Sequence, residues 1–306
     1  MSVDGSESSG TARSRAERRT DARPLRRSAA RRRGFAATEK ALDALAASGA
    51  RVSVRVSDLD RGTPVLAGDD FITLPVAGLG IVPLLIEVAA RFEAGGLDPL
   101  EIVERSAMPG VAVAGVWRHL AAPALPLGDL AVLAAATGDA LAANALLDRV
   151  GLDAVRARLG ALGMPRTALL DRFRDDRGPD DAPHYALGTA RELASMFAAL
   201  VNTDIVSPGV SAQVSEWLSL NHDLSLVGSV TGLDPFAHDD DKHELLFVNK
   251  TGRADGIRAE AGVLAGPRAG LAYALIVEFD DPSMSHRLRS HEAFRALGLD
   301  LMEYVF

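Results

Sequence analysis

The residues Lys250-Thr251-Gly252 follow directly after the apolar run Leu245–Asn249. The run is typical of a β-strand and is followed by a turn signal at Gly256, so the three residues are predicted at the end of a hairpin strand. Their ammonium and hydroxyl groups are suited to binding an anion such as a carboxylate. Three residues of these types also occur together by chance in many loops, and their place at the end of a predicted hairpin strand argues against that interpretation.

A second group of chemically capable side chains is the cluster formed by His238, the aspartates at 239–241 and His243. Carboxylate and imidazole groups of this kind could hold a hard or borderline cation. The same composition is typical of an acidic, solvated loop, and we favour that interpretation. The chain contains no cysteine, which excludes disulfides, thiolate catalysis and cysteine-ligated zinc. We therefore predict no metal site and no other cofactor.

The elements that must position these residues are strands near both ends of the chain. Val52, Val54 and Val56 alternate with polar residues, as in a half-buried strand, and a turn at 60–62 leads to a return strand. Further strands are predicted at 245–249, 261–264 and 271–279. Helical patterns dominate 127–220, and further helices are predicted at 35–49, 82–94 and 285–304.

This order of elements predicts an α/β (α+β) fold. An antiparallel β-sheet built from both ends of the chain would be flanked by helices, with a mostly helical subdomain inserted between the halves. We predict one domain over residues 34–306. Its sheet part comes from 34–73 and about 220–306, and its helical part from about 74–219. A groove between the two parts is the expected ligand site.

Residues 1–33 differ from the rest of the chain in charge. They carry ten arginines against four acidic residues, whereas the whole chain has a net charge of −8. With few apolar residues to bury, they are predicted to form a disordered, Arg-rich tail. The tail is the only hint of nucleic-acid binding, and the acidity of the chain argues against that function.

The predicted location is the cytoplasm. Arg31-Arg32-Arg33 faintly suggests an export signal, but charged residues at 39, 40 and 43 interrupt the apolar stretch that such a signal needs. No run of the sequence is long enough to span a membrane, so no membrane partner is predicted. The oligomeric state stays open.

Three segments in order resemble the penicillin-recognising serine hydrolases, the family that includes the class A β-lactamases. They are Leu74–Leu85, Gly138–Gly151 and Lys250-Thr251-Gly252, and with the predicted elements the resemblance spans about 35–306. It implies a β-lactamase/transpeptidase-like fold. It also implies that Lys250 and Thr251 line the active site and bind the substrate carboxylate.

The catalytic motif of that family is changed in this chain. The family carries Ser-x-x-Lys, in which the serine is the nucleophile and the lysine, one helical turn later, helps to accept its proton. Here the serine position is Gly78 and the lysine position is Ile81. Residues 74–92 contain neither serine nor lysine, so no shift of the alignment restores the pair.

The second motif is also depleted, because its serine aligns with Gly138 and its asparagine with Ala140. Only Asp139 remains; it is mainly structural in the family, and we keep it as a candidate ligand-binding residue. A register that uses the Thr137 hydroxyl breaks the match further along the helix. The deacylating glutamate of class A enzymes aligns with Arg174, although a small shift would bring Asp175 or Asp176 to that place.

The sequence thus predicts a catalytically degenerate relative of these hydrolases, a pseudoenzyme whose old groove binds a carboxylate-containing small molecule or a partner. The predicted ligand-binding residues are Lys250, Thr251, Gly252 and Asp139. The alternative is an active hydrolase of the β-lactamase or amidase type that works without an acyl-serine, through non-standard groove residues such as Lys250 and Thr137. A third possibility is an adaptor that binds nucleic acid or an acidic surface through its arginine tail.

Overall fold

A computed structural model describes residues 34–237, 244–281 and 283–306. Its helices are α1 (Ala36–Ala47), α2 (Ile81–Glu93), α3 (Leu127–Thr137), α4 (Ala140–Val150), α5 (Leu152–Ala161), α6 (Ala190–Val201), α7 (Pro208–Ser219) and α8 (Met284–Val305). Its strands are β1 (Arg51–Asp58), β2 (Pro64–Gly68), β3 (Leu74–Pro75), β4 (Ile102–Glu104), β5 (Ala124–Pro126), β6 (Ala168–Leu169), β7 (Ala186–Gly188), β8 (Leu246–Ala254), β9 (Ile257–Ala265) and β10 (Gly270–Glu278).

The main sheet has five strands in the order β2-β1-β10-β9-β8. Neighbouring strands are antiparallel, and the N-terminal strands join the C-terminal strands where β1 pairs with β10. Helices α2 to α7 come from the segment between the two halves of the sheet. The predicted fold class, an antiparallel sheet flanked by helices with a helical insertion, is confirmed.

The sheet buries both of its faces, and β10 shows how. Ala272 and Ala274 belong to the core that the sheet shares with the inserted helices, and α6 packs against this face. Leu271 and Leu275 belong to a second core, which the sheet shares with α1 and α8. Successive side chains of a strand point to opposite faces, so small residues admit a helix on one face while large ones fill the other. A strand buried on both faces reads as a continuous apolar run, as β10 does in the sequence.

Capping side chains set the starts of several inserted helices. Asp139 accepts a hydrogen bond from the backbone N–H of Ala142 at the start of α4, and Thr189 accepts one in the same way at the start of α6. Ser207 caps α7, whose first residue is Pro208. These residue types satisfy the free N–H groups of a first helical turn, and proline suits the first position because it lacks one.

The predicted helices lie within one or two residues of their observed ends, whereas some strand predictions were wrong. Strand β8 continues to Ala254, so Lys250-Thr251-Gly252 lies within the strand and not after its end. The short strands β3 to β7 were not predicted, because two or three residues are too few to show a period. The prediction of a disordered tail at 1–33 lies outside the described residues.

Candidate functional site

The turn that leads into α2 lies directly against strand β8. A Cβ atom added to Gly78 would lie 2.9 Å from the backbone oxygen of Thr251. One added to Gly252 would lie 2.0 Å from the backbone oxygen of Val76, which leaves no room for any side chain. The two segments singled out from the sequence are therefore brought together, and glycine at 252 permits the close approach of the two backbones.

The start of α2 carries no reactive side chain. Gly78 lies in a 3₁₀ turn over Ala77–Gly80, and Ala77 before it has a left-handed backbone with φ of 45°. Ile81 is fully buried in the core of the inserted helices. The described residues thus place neither a nucleophile nor a proton acceptor at the two positions where the resemblance locates them.

Lys250 lies deep between β8 and the end of α3. Only 2% of it is exposed, and its Nζ donates to the backbone oxygen of Ala135 at 2.6 Å and to Oδ1 of Asn221 at 3.4 Å. Burial lowers the pKa of the Lys250 ammonium group to about 8, and the negative charge of Asp223 opposes this shift. The side chain is held within the protein and is not extended into open solvent.

The segment Gly138-Asp139-Ala140 lies beside this lysine. A Cβ atom on Gly138 would lie 3.7 Å from Nζ of Lys250, so the second depleted motif faces the same ammonium group. Gly138 has φ of +65° and ends α3 in a left-handed conformation that suits glycine. Ala140 is fully buried in the first turn of α4.

Asp139 is a structural residue in this arrangement. Oδ2 of its carboxylate accepts hydrogen bonds from the backbone N–H groups of Val116 and Trp117 at 2.6 and 2.7 Å. Oδ1 accepts from the N–H of Ala142 at 2.9 Å, and only 1% of the residue is exposed. The carboxylate joins the loop at Val116 and Trp117 to the start of α4, and both of its oxygens accept backbone N–H groups.

Thr251 already has an anionic partner inside the chain. Its hydroxyl donates to Oδ2 of Asp223 at 2.7 Å, and the Arg253 guanidinium donates to Oδ1 at 2.9 Å. The hydroxyl and backbone N–H of Ser225 donate to the same Oδ1 at 2.6 and 3.2 Å. Burial would raise the pKa of the Asp223 carboxyl, but these hydrogen bonds and the charge of Arg253 together hold it below its usual value.

A buried polar network connects Lys250 to Glu260 on the neighbouring strand β9. Asn221 accepts from the lysine and donates to Oδ1 of Asn249 at 2.8 Å, and Asn249 donates to Oε1 of Glu260 at 2.8 Å. Glu260, which is fully buried, also accepts from the Tyr273 hydroxyl at 2.7 Å. Burial raises the pKa of the Glu260 carboxyl to about 7. Such a network is stable because each buried polar group has a partner.

Arg174 takes part in surface ion pairs. Its guanidinium lies 2.7 Å from Asp171 and 3.1 Å from Asp181. The preceding residue, Phe173, instead stacks on Tyr185 with ring centroids 3.7 Å apart. Asn144 holds the backbone of Phe173 through hydrogen bonds to both its N–H and its oxygen. In this segment the ring of Phe173 therefore packs on the buried Tyr185.

Sequence reasoning missed Asp223 and Glu260. Asp223 stands two residues before Ser225, a spacing typical of a local turn, but nothing in that pattern predicts contact with a strand 28 residues away. Glu260 is the single carboxyl of strand β9 and is followed by an apolar run to Ala265, and that contrast was the available signal.

The predicted acidic loop with His238 and His243 lies outside the described residues. Among the residues that the structure does describe, no group of three or more histidine or acidic side chains is arranged to hold a metal ion. None of the described helices combines the length and the hydropathy needed to cross a membrane.

Comparison with known proteins agrees with this fold. A β-lactamase from Sphaerobacter thermophilus superimposes with a TM-score of 0.76 at 22% identity, covering 89% of this chain and 97% of that one. The chromosome-encoded β-lactamase of Vibrio parahaemolyticus gives 0.71 at 18%, covering 88% and 98%. The protein PBP-A gives 0.70 at 16%, covering 88% and 96%.

Among curated proteins no sequence matches the chain. At the identities of the solved structures, the likeness establishes the fold alone. The profile of the β-lactamase enzyme family, in contrast, matches the sequence itself over residues 36–305. The chain belongs to the β-lactamase enzyme family.

Proposed function

We propose that this protein is a non-hydrolytic member of its family, in which the former active-site groove binds a small carboxylate-containing molecule without cleaving it. The observation that carries the proposal is Gly78 at the start of α2. Acyl transfer needs a nucleophile, and the described residues offer none at that point. A Cβ atom at Gly78 would lie only 2.9 Å from the Thr251 oxygen, and this close contact further supports a site that has adapted to glycine.

The alternative, hydrolysis by other groove residues, is less well supported by the contacts of those residues. The Thr137 hydroxyl donates to the backbone oxygen of Leu133 at 2.8 Å, and the Thr251 hydroxyl donates to Asp223. Both oxygens of Asp139 accept backbone N–H groups. A general base must reach the proton that it removes, and each of these groups is already committed to an internal partner.

Charge supports binding of an anion in the groove. The Lys250 ammonium lies beside Gly138, where a Cβ atom would be 3.7 Å from Nζ, so residue 138 places no side chain next to this charge. The N–H groups at the start of α2 contribute partial positive charge on the other side.

Covalent labelling tests the loss of hydrolysis. We expect that a fluorescent penicillin leaves no label on the denatured protein, and that cephalosporin hydrolysis stays at the background rate. Denaturation-resistant labelling that unlabelled penicillin prevents would overturn the proposal. An active class A β-lactamase, treated in parallel, is the positive control.

Thermal shift with a library of carboxylates tests the binding. Hits are expected to stabilise the wild type and not Lys250→Ala. The control is Lys40→Ala, which removes an exposed lysine from α1. If no carboxylate shifts the wild type, or if Lys250→Ala responds equally, the groove does not bind carboxylates through Lys250.

A further inference from the structure

The carboxylate of Asp223 occupies the position at which the Thr251 hydroxyl would meet an incoming anion. Four donor groups from Ser225, Thr251 and Arg253 converge on its two oxygens at 2.6 to 3.2 Å. Its side chain is 30% exposed, so the group lies at a surface that a ligand can reach. A small ligand carboxylate would use the same donors.

Cationic side chains accumulate around this aspartate. Arg253 and Arg258 are directly opposite each other in the pairing of β8 with β9, an arrangement that is unfavourable for like charges. Among the described residues, buried Nε of Arg258 has no hydrogen-bond partner. Burial and the charges of Arg253 and Arg258 both lower the pKa of His291 on α8. The region is therefore positive enough to attract an anion, and Asp223 supplies the negative charge from within the chain.

The segment that carries Asp223 is anchored on both sides. Leu224 and Leu226 are buried in the core between the sheet and α8. Asn221 is tied to Asn249, and the N–H of His222 donates to the backbone oxygen of Ala136 at 2.9 Å. The backbone is thus fixed, and rotation of the Asp223 side chain is the simplest way to free the donors.

We propose that Asp223 is an internal carboxylate that fills an anion site formed by Ser225, Thr251 and Arg253, so that an external carboxylate binds only by displacing it. This inference rests on the proposed function as a binding groove. It adds that the aspartate controls access: the ligand must compete with a tethered group of its own chemistry. Placing a second carboxylate beside an ionised aspartate is costly, because like charges repel and one of them loses its donors.

Benzoate titration of Asp223→Ala and of the wild type tests this competition, with binding followed by isothermal titration calorimetry. Removal of the internal carboxylate is expected to lower the benzoate Kd by about tenfold or more. The double variant Asp223→Ala/Thr251→Val is expected to lose most of that gain, because the freed hydroxyl is absent. Asp223→Asn, which keeps the shape and removes the charge, serves if the alanine variant does not fold.

Asp255→Ala is the matched control. It removes one negative charge from the exposed turn between β8 and β9, and the benzoate Kd is expected to stay within about twofold of the wild type. Equal affinity of the Asp223 variants and the wild type, or an equal gain in Asp255→Ala, would overturn the inference. This result is independent of penicillin labelling. Labelling reports whether the protein is acylated, whereas the benzoate Kd reports whether Asp223 blocks the anion site.

Discussion

At the scale of single residues, two glycines at the site are there for different reasons. Gly252 is required by the fold, because a Cβ atom at this position would collide with the backbone oxygen of Val76. Gly138 has a positive φ and ends a helix, and the space around its Cβ direction is limited only by Lys250 among the described residues. Glycine is thus favoured at residue 252 by a backbone contact and at residue 138 by backbone conformation.

Restoring the serine alone is expected to leave the protein inactive. In Gly78→Ser the new Cβ lies too close to the Thr251 oxygen, and Ile81 cannot accept the proton of the hydroxyl. We expect no penicillin label and a loss of about 1–3 kcal/mol in the free energy of unfolding. Gly160→Ser, at an exposed helical glycine with nothing within 4 Å, controls for the stability measurement. Labelling of Gly78→Ser would reveal a proton acceptor that the geometry does not provide.

The close approach at Gly252 predicts a large effect of a single methyl group. Gly252→Ala forces β8 away from the turn before α2, because the contact of 2.0 Å is with backbone and not with a flexible side chain. Chemical denaturation is expected to show destabilisation by about 2–4 kcal/mol. Gly160→Ala is expected to change stability in the opposite direction, by about 0.5–1 kcal/mol, since alanine favours the helix. Similar stabilities for the two variants would contradict this account of the contact.

At the scale of elements, periodicity was enough to predict that the five strands of the sheet and the longer helices exist, but not the full extent of β8 and β9. Alternation in β1 and the continuous apolar runs of β8 to β10 reflect burial on one or both faces, a property that the local sequence records. The partners of the site could not be predicted in the same way. Asp223 and Thr251 meet because α7 ends beside β8, and that placement depends on long-range packing.

Ionisation of Glu260 makes the stability of the folded protein depend on pH. Because its folded pKa is raised to about 7, the folded state binds the proton more tightly than the unfolded state. Its contribution to stability is present below about pH 4.5 and is lost as the pH rises to about 7, with a slope of at most about 1.4 kcal/mol per pH unit. Denaturant titrations from pH 5 to 7.5 are expected to show this decline in the wild type but not in Glu260→Gln. The exposed Glu292→Gln should keep the wild-type decline. Parallel curves for the wild type and Glu260→Gln would contradict the assignment.

At the scale of the whole molecule, the domain predicted at 34–306 contains a sheet built from both chain ends. Helix α1 packs against α8, and Phe35 lies 6.3 Å from Tyr304 between ring centroids. The segment that begins at residue 34 therefore contributes to the core that the sheet shares with α1 and α8. Composition alone predicts that residues 1–33 are dispensable for this core, and their removal tests that prediction.

Two truncations separate the tail from α1. A chain that starts at Gly34 is expected to melt within a few degrees of the full chain. A chain that starts at Arg51 loses α1, with its buried Leu42 and Leu45, and is expected to melt far lower or to aggregate. Differential scanning calorimetry of the two chains beside the full one is the measurement. A large drop for the first truncation would show that the tail contributes to folding.

The central claim is that this member of the β-lactamase family does not form an acyl-enzyme. Intact-protein mass spectrometry after incubation with excess benzylpenicillin measures this directly, with time points from seconds to hours so that neither fast nor slow acylation escapes detection. We predict the unmodified mass at every time point and no loss of the antibiotic from solution. A stoichiometric increase by the mass of one benzylpenicillin, mapped to a residue of the groove, would contradict the account.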